Sequence, residues 1–568
     1  TRLENIRQTV ELSDLAAEKD VGDYKVVGQS VPRLDIPAKV FGGESFLQDL
    51  RLPGMVHGRV VRPPAERARL RRARTKTAEG MPGVLEIVVD GTFVGVIAER
   101  EGQARAAAEQ LRRDLVWNLP GDMPDAQKIG DWLKQARSRL EPVASSVLDF
   151  GSSAATRTIR ATYQRPYQAH ASISPSAAIA RFHDGRLDVY SHAQGMYPLR
   201  RALARALGMQ ERKIDCHHRE ASGCFGHNGA DDAACDAAVL ARALPGTPVR
   251  VQWERGDEFA WEPYGSAMRV QLSADIDRDN TIRSWNCDLW SCPHSSRPRS
   301  PDDAANLIYA IQKHSPLPPP PARSMPQPSG GADRNAIPLY DFDNIKIVKH
   351  LVEESPLRVS ALRGLGAYAN VFAIESFMDE LANRAREDPL AYRLRHLDNP
   401  RAIAMLEQLA DVSGWHKRSE NKEEGWGIAF AQFKNLASYT GICVRTQVIE
   451  NRIRLVKAIA VCDAGLIINP DGVRAQIEGG IIQSSSWTLK EHVRFSRSEK
   501  QSLDWASYPI LRFDEVPDVE VHLVERRDSP PLGVGEAAQG PTAVAIATAV
   551  FDQTGQRLRQ LPLVLQHV

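Results

Sequence analysis

The chain has 568 residues, 42% of them hydrophobic and 25% charged, with 72 basic against 71 acidic side chains and a formal charge of +1. That length suits about three or four domains with sizeable cores. The balanced charge gives no electrostatic case for nucleic acid or an anionic membrane, and no apolar run is long enough to span a bilayer.

Residues 1–30 are polar and read as a peripheral extension. From 31 to 143 the pattern is mixed. Apolar runs at 84–89 and 93–98 predict strands, and Ala and Leu at helical spacing predict a helix over 103–115. A second region, 144–335, carries strand-like stretches at 177–182 and 186–190 and helical ones near 199–207 and 232–244. It ends in a loop or linker over 314–335, with four consecutive prolines at 318–321 and Pro328-Ser-Gly-Gly331. A third region, 336–568, again mixes strands and helices. The fold class expected is α+β.

Four glycine-rich loops run into predicted helices. Ala221-Ser-Gly-Cys-Phe-Gly-His-Asn-Gly229 precedes a helix from about 231, with Asp231 a favourable cap. Ala361-Leu-Arg-Gly-Leu-Gly-Ala-Tyr368 precedes one over 371–384, whose Ile374, Phe377, Met378 and Leu381 share a face. Asp463-Ala-Gly-Leu-Ile-Ile-Asn-Pro470 precedes a helical stretch holding Gln476, Glu478 and Gln483. Pro531-Leu-Gly-Val-Gly-Glu-Ala-Ala-Gln-Gly-Pro-Thr542 places Glu536 just before a helix in which Pro541 suits the first position and Gly555 the stop. Four such junctions could aim backbone donors at one polyanionic ligand, with the lone carboxylate placed to act as a base.

Rival motifs are weaker. Gly364-x-Gly366-x-x-Ala369 and Gly533-x-Gly535-x-x-Ala538 match a loose dinucleotide fingerprint, yet neither is followed by a strand ending in an acid. Cys216-His-His218 and Cys224-x-x-His227 invite a zinc reading, but the spacing is that of no known finger, and alternation along a strand over 213–218 sends His217 to the opposite face. The seven cysteines form no Cys-x-x-Cys or Cys-x-x-Cys-His, and their odd count and wide spacing suggest no disulfide framework. With no flavin motif either, the chain itself is expected to hold no iron–sulfur cluster, haem or flavin. It starts at Thr1 without Met and shows no signal peptide, which leaves a removed leader open; a soluble bacterial protein is expected, with cytoplasm and periplasm both left open.

These loops, taken with Val31-Pro-Arg-Leu-Asp-Ile-Pro-Ala-Lys-Val40, Pro53-Gly-Met-Val-His-Gly-Arg-Val-Val-Arg-Pro-Pro64, Gln168-Ala-His-Ala-Ser-Ile-Ser-Pro-Ser176 and Gln476-Ile-Glu-Gly-Gly480, form an ordered set over residues 24–568. The set resembles the molybdenum-binding large subunit of the xanthine dehydrogenase/aldehyde oxidase family, most closely the branch of isoquinoline 1-oxidoreductase and nicotinate dehydrogenase. The resemblance implies a small "hammerhead" α/β domain over 31–143, then two large mixed molybdopterin-binding domains over 144–335 and 336–568. It implies a molybdenum–molybdopterin cytosine dinucleotide whose metal is held by the pterin dithiolene and not by side chains.

By the same resemblance, Glu536 matches the general base. Gln194 matches a glutamine at the metal's apical oxygen, and Arg363 an arginine near the metal. Gly223, Phe225 and Gly226 match the loop facing the metal, Gln476 a pterin-binding glutamine, and Gly364 and Gly535 the other two cofactor loops. The sequence departs from the family pattern in three places. A Gly-Gly-x-Glu-x-Gly-Gln-Gly stretch is missing between Gly414 and Asp463, His170-Ala-Ser-Ile-Ser174-Pro175 replaces His-x-x-x-Glu-Pro, and Leu365 stands where the family has an aromatic. The reaction implied is hydroxylation of an electron-poor carbon in an N-heteroaromatic ring with oxygen from water. Aldehyde oxidation is the enzyme alternative, and a cofactor-free scaffold subunit the non-enzymatic one. Electrons would leave through a [2Fe–2S] small subunit to a cytochrome or other acceptor.

Overall fold

The computed structural model describes residues 19–147, 157–418 and 423–566. Three sheets dominate. The largest has seven strands in the order Ile214–His218, Arg186–Ser191, Ala177–His183, Val249–Gln252, Val56–Val61, Phe93–Ala98, Val84–Asp90. Every residue of Phe93–Ala98 is buried, as befits a strand with neighbours on both sides and cover on both faces. Helix Ala230–Ala243 lies so close that a Cβ on Gly58 or Gly95 would come within 2.6 or 2.7 Å of the Leu240 methyls. The sheet thus takes strands from both 31–143 and 144–335, joined by the parallel pair Val56–Val61 and Val249–Gln252.

A five-stranded sheet follows, in the order Ser138–Val147, Asn344–Val352, Ile282–Ser291, Met268–Ile276, Arg157–Arg165. Met268, Val270, Leu272, Ala274 and Ile276 are buried in strict alternation, so one face of this sheet meets the core. A four-stranded sheet, Gly425–Gln432, Tyr439–Ile449, Arg452–Asp463 and Asp518–Val524, completes the set. One hydrophobic core joins these two sheets through helices Ala367–Ala385 and Gln539–Thr554. The helix expected over 371–384 to show one apolar face is buried along Ala367–Ala382 on all sides, because sheets and helices surround it.

Sequence and structure differ at several helix starts. The last helix begins at Gln539, so Pro541 is its third residue, and Gly555 ends it in a left-handed conformation at φ 74° as expected. Asp231 is not a cap: the helix begins at Ala230 after Gly229, and Asp231 lies buried in its first turn. Of the peripheral extension, residues 1–18 lie outside the described residues, and 19–30 run along the surface, where the Gly28 N–H donates to the Ile468 carbonyl at 2.9 Å. No helix among the described residues is long and apolar enough to cross a membrane.

Candidate functional site

Arg363 is where the loops meet. Its Nε donates to the Gly535 carbonyl at 2.7 Å, its Nη1 to Gln483 Oε1 at 3.2 Å, and its Nη2 to both the Gln476 carbonyl and Gln476 Oε1 at 3.2 Å. Its own N–H donates to the Phe225 carbonyl at 2.8 Å, and the next contact along, His227 N–H to the Ala361 carbonyl, is also 2.8 Å. The loops at 221–229, 361–366 and 533–538 therefore converge on one arginine. The planar fork with five donors suits this task, since it can reach several fixed acceptors at once. Burial pulls the Arg363 guanidinium below its ordinary pKa, with Glu536 opposing.

The fourth junction contributes differently from the expected helix start. Helix Pro470–Leu489 is capped by its own Asn469, whose Oδ1 accepts from Gly472 N–H at 3.1 Å. It offers the site side chains from its second and fourth turns, Gln476 and Gln483, and not its first N–H groups. Its loop still touches the Glu536 loop, where Leu532 N–H donates to the Ala464 carbonyl at 2.8 Å.

Glu536 is part-exposed and pairs with Arg334, Nη1 to Oε2 at 3.0 Å. Sequence reasoning does not single out Arg334, because it closes the proline-rich segment that reads as a linker. That segment does lack helix and strand, yet residues 330–336 are buried. Arg334 is fixed there by its Nε to the Ser329 carbonyl at 2.7 Å and its Nη2 to the Gly330 carbonyl at 3.3 Å. The Gly-Gly pair shortly ahead of Asp-Arg-Asn is the one signal the sequence offers. Gln539 joins the same group: in the amide orientation that satisfies both neighbours, its NH2 donates to the Glu536 carbonyl and its oxygen accepts from Arg363 Nε, each at 2.9 Å.

The other predicted residues fall around this centre. Gly226 has φ 132°, and a Cβ there would lie 2.1 Å from the Ala361 carbonyl oxygen, so only glycine fits. Gly223 and Gly364 also take positive φ, as do Phe225 at 52° and Leu365 at 51°. Leu365 is buried, and its carbonyl accepts from the buried Arg165 at 2.7 Å. Gln194 shares no hydrogen bond with Arg363 or Glu536. It is exposed and accepts from Arg297 at 3.1 Å. Arg297 in turn acts electrostatically on Cys224 and His227 of the 221–229 loop. In the Cys216–His218 stretch, His217 stacks on Tyr190 at 4.7 Å while Cys216 packs against the helix-covered core, so the strand alternates as expected. We predict that Gly226→Ala destabilises the protein by about 1–3 kcal/mol, the range for overpacking. Denaturant unfolding of variant and wild type measures it, and equal midpoints would show that the loop can yield.

The arrangement suits a large anionic ligand. Arg363, Arg334 and Lys434 all feel the Glu536 carboxylate, and of the three it is Arg334 that pairs with it directly. A Cβ on Gly479 or Gly533 would meet nothing within 4 Å, and one on Gly535 only Gln476 Oε1 at 3.9 Å. A smooth backbone surface beside amide and guanidinium donors is what a flat, polar, negatively charged cofactor requires.

Two family models match the chain, each described as a molybdopterin cofactor-binding domain, one over residues 146–307 and 329–397 and the other over 373–517. A nicotinate dehydrogenase subunit of Pseudomonas putida is 37% identical over 98% of this chain and 48% of its own length. The chain therefore spans about half of that relative. The isoquinoline 1-oxidoreductase β subunit of Brevundimonas diminuta is 28% identical over 97% of this chain and 70% of its own. Among solved structures, quinoline 2-oxidoreductase from Pseudomonas putida 86 shares the fold with a TM-score of 0.78 at 15% identity, covering 95% of this chain and 97% of that one. The aldehyde oxidoreductase from Desulfovibrio gigas does so with a TM-score of 0.77 at 17% identity, covering 95% and 80%. The chain belongs to the molybdopterin-binding proteins of the xanthine dehydrogenase/aldehyde oxidase family.

Proposed function

We propose that the chain hydroxylates an electron-poor ring carbon of an N-heteroaromatic substrate with oxygen from water. The observation that carries this reading is the meeting of Glu536, Arg363 and Gln476, from three distant segments, within a few hydrogen bonds of one another. Gln476, Gly535, Gly364 and the Gly223–Phe225–Gly226 loop would hold molybdopterin, in its cytosine dinucleotide form, and Gln194 would reach the same loop's ligand through Arg297. When bound, that cofactor supplies the metal centre on which water is activated and two electrons are accepted. Glu536 takes the proton of the attacking oxygen at its carboxylate. Arg334 fixes that carboxylate through Oε2 and is a positioning residue. Arg363 holds the Glu536 loop by the Gly535 carbonyl and keeps a positive charge beside the region where negative charge develops.

The names of the relatives support N-heterocycles before aldehydes, and a C–H next to ring nitrogen is electron-poor enough to accept an oxygen nucleophile. The electrons leave the chain to a [2Fe–2S] partner subunit and then to a cytochrome or other acceptor. Domain limits near 31–143, 144–335 and 336–568 are part of the same proposal. Turnover of a pyridine or isoquinoline in H2(18)O, with molybdenum and pterin assayed in the same sample, tests it. The expected product carries the heavy oxygen. A cofactor-bearing complex that oxidises only aldehydes would select the other activity, and a complex without molybdenum or pterin would make the chain a scaffold.

A further inference from the structure

The turn Phe433–Leu436, between strands Gly425–Gln432 and Tyr439–Ile449, has no assigned role. Lys434 and Asn435 both take left-handed conformations, at φ 58° and 56°. Two consecutive non-glycine residues there cost conformational energy, which the surroundings must hold in place. They do so by specific bonds. Lys434 N–H donates to Asn335 Oδ1 at 2.8 Å, Asn435 Nδ2 to the Ile337 carbonyl at 2.9 Å, and Ser438 Oγ to the Gly533 carbonyl at 2.8 Å. The turn is thus pinned to both the Arg334 segment and the Glu536 loop.

Its charge is unbalanced. Lys434 Nζ lies 5.2 Å and Arg334 Cζ 5.5 Å from the centroid of the same Phe433 ring. Two cations are held around one aromatic ring, and cation–π attraction offsets part of their repulsion. Arg334 is committed to Glu536. The neighbouring Asp333 is committed to Lys349 at 3.2 Å, to Gln327 and to Gly331 N–H. Lys434 forms no ion pair among the described residues. Burial and Arg334 both pull its ammonium below the ordinary lysine pKa, against Glu536. A half-buried ammonium held beside another cation, on a strained turn, is short of one carboxylate.

We infer that Lys434, supported by Phe433 and Arg334, is a subsite for a carboxylate carried on the substrate ring. The inference rests on the reading of Glu536 as the group that faces the reacting carbon. A ring acid would place its carboxylate on the ammonium and turn its C–H toward Glu536. A neutral heterocycle would leave the lysine charge uncompensated. The subsite therefore selects anionic over neutral rings and fixes ring orientation, and with it the carbon that reacts.

Calorimetry on the purified, cofactor-loaded complex, without electron acceptor, tests this with pyridine-3-carboxylate and pyridine-3-carboxamide. The wild type is expected to prefer the carboxylate by about tenfold or more, the scale of one charge-assisted hydrogen bond. Lys434→Met is expected to remove most of that preference, and Lys434→Arg to keep most of it. No preference in the wild type, or an unchanged preference in Lys434→Met, would overturn the subsite. So would loss of molybdenum and pterin from Lys434→Met, because the lysine would then serve the cofactor's phosphates. Carboxylate preference in calorimetry, with no hydroxylation of either ring or of isoquinoline once an electron acceptor is added, would uphold the subsite and sink the hydroxylase reading.

Discussion

Glu536→Gln should retain its molybdenum and pterin and lose turnover by about 10²–10⁴-fold, the range for a missing general base. The substitution is close to isosteric. A glutamine carbonyl oxygen can still accept from Arg334 Nη1, which now approaches Oε2 at 3.0 Å, and the backbone carbonyl of residue 536 still meets Gln539. Loop geometry should therefore survive while proton acceptance does not. Steady-state kinetics with metal analysis on the same preparation provides the check. A kcat within about fivefold of wild type would remove Glu536 from the proton transfer, since that is far below the effect of a lost base.

Arg363→Ala is expected to be the more disruptive change, because it acts on assembly as well as chemistry. The side chain donates to Gly535, Gln476 and Gln483, so its loss removes the guanidinium tie between the 533–538 loop and helix Pro470–Leu489 and leaves contacts such as Ser484 Oγ to the Gln539 carbonyl at 2.6 Å. Hydrogen bonds from a charged donor contribute about 1.5–3 kcal/mol each, and the orphaned carbonyls add a desolvation penalty. The purified variant should carry little molybdenum and pterin, with turnover down at least about a hundredfold per cofactor retained. Arg363→Lys should rescue poorly, because a single ammonium cannot span the acceptors that the guanidinium reaches. Full cofactor content with normal turnover in Arg363→Ala would show that the convergence is held by backbone contacts alone, such as Arg363 N–H to Phe225 and His227 N–H to Ala361.

Local chemistry was legible where one element decides it. The strands at 84–89 and 93–98, the helix ending at Gly555 and the alternation of Cys216, His217 and His218 all depend on nearest neighbours, and they lie where periodicity places them. The helix starts slipped by a residue or two, since Gly229 and Ala538 precede helices without offering a capping side chain. Gln194 shows the opposite limit. Its motif position gives no hint of its partner in the fold, Arg297, about a hundred residues away in sequence.

The sequence by itself determined the set of glycine-rich helix entries and the single carboxylate in the last of them, because each follows from residue type and short-range order. Only the tertiary structure decided that Arg363 is the hub, that Arg334 from the proline-rich segment holds Glu536, and that Lys434 shares the Phe433 ring with Arg334 and has no ion pair among the described residues. Those are pairings between residues one to two hundred positions apart. Chain packing sets such distances, and no local pattern of residues encodes them.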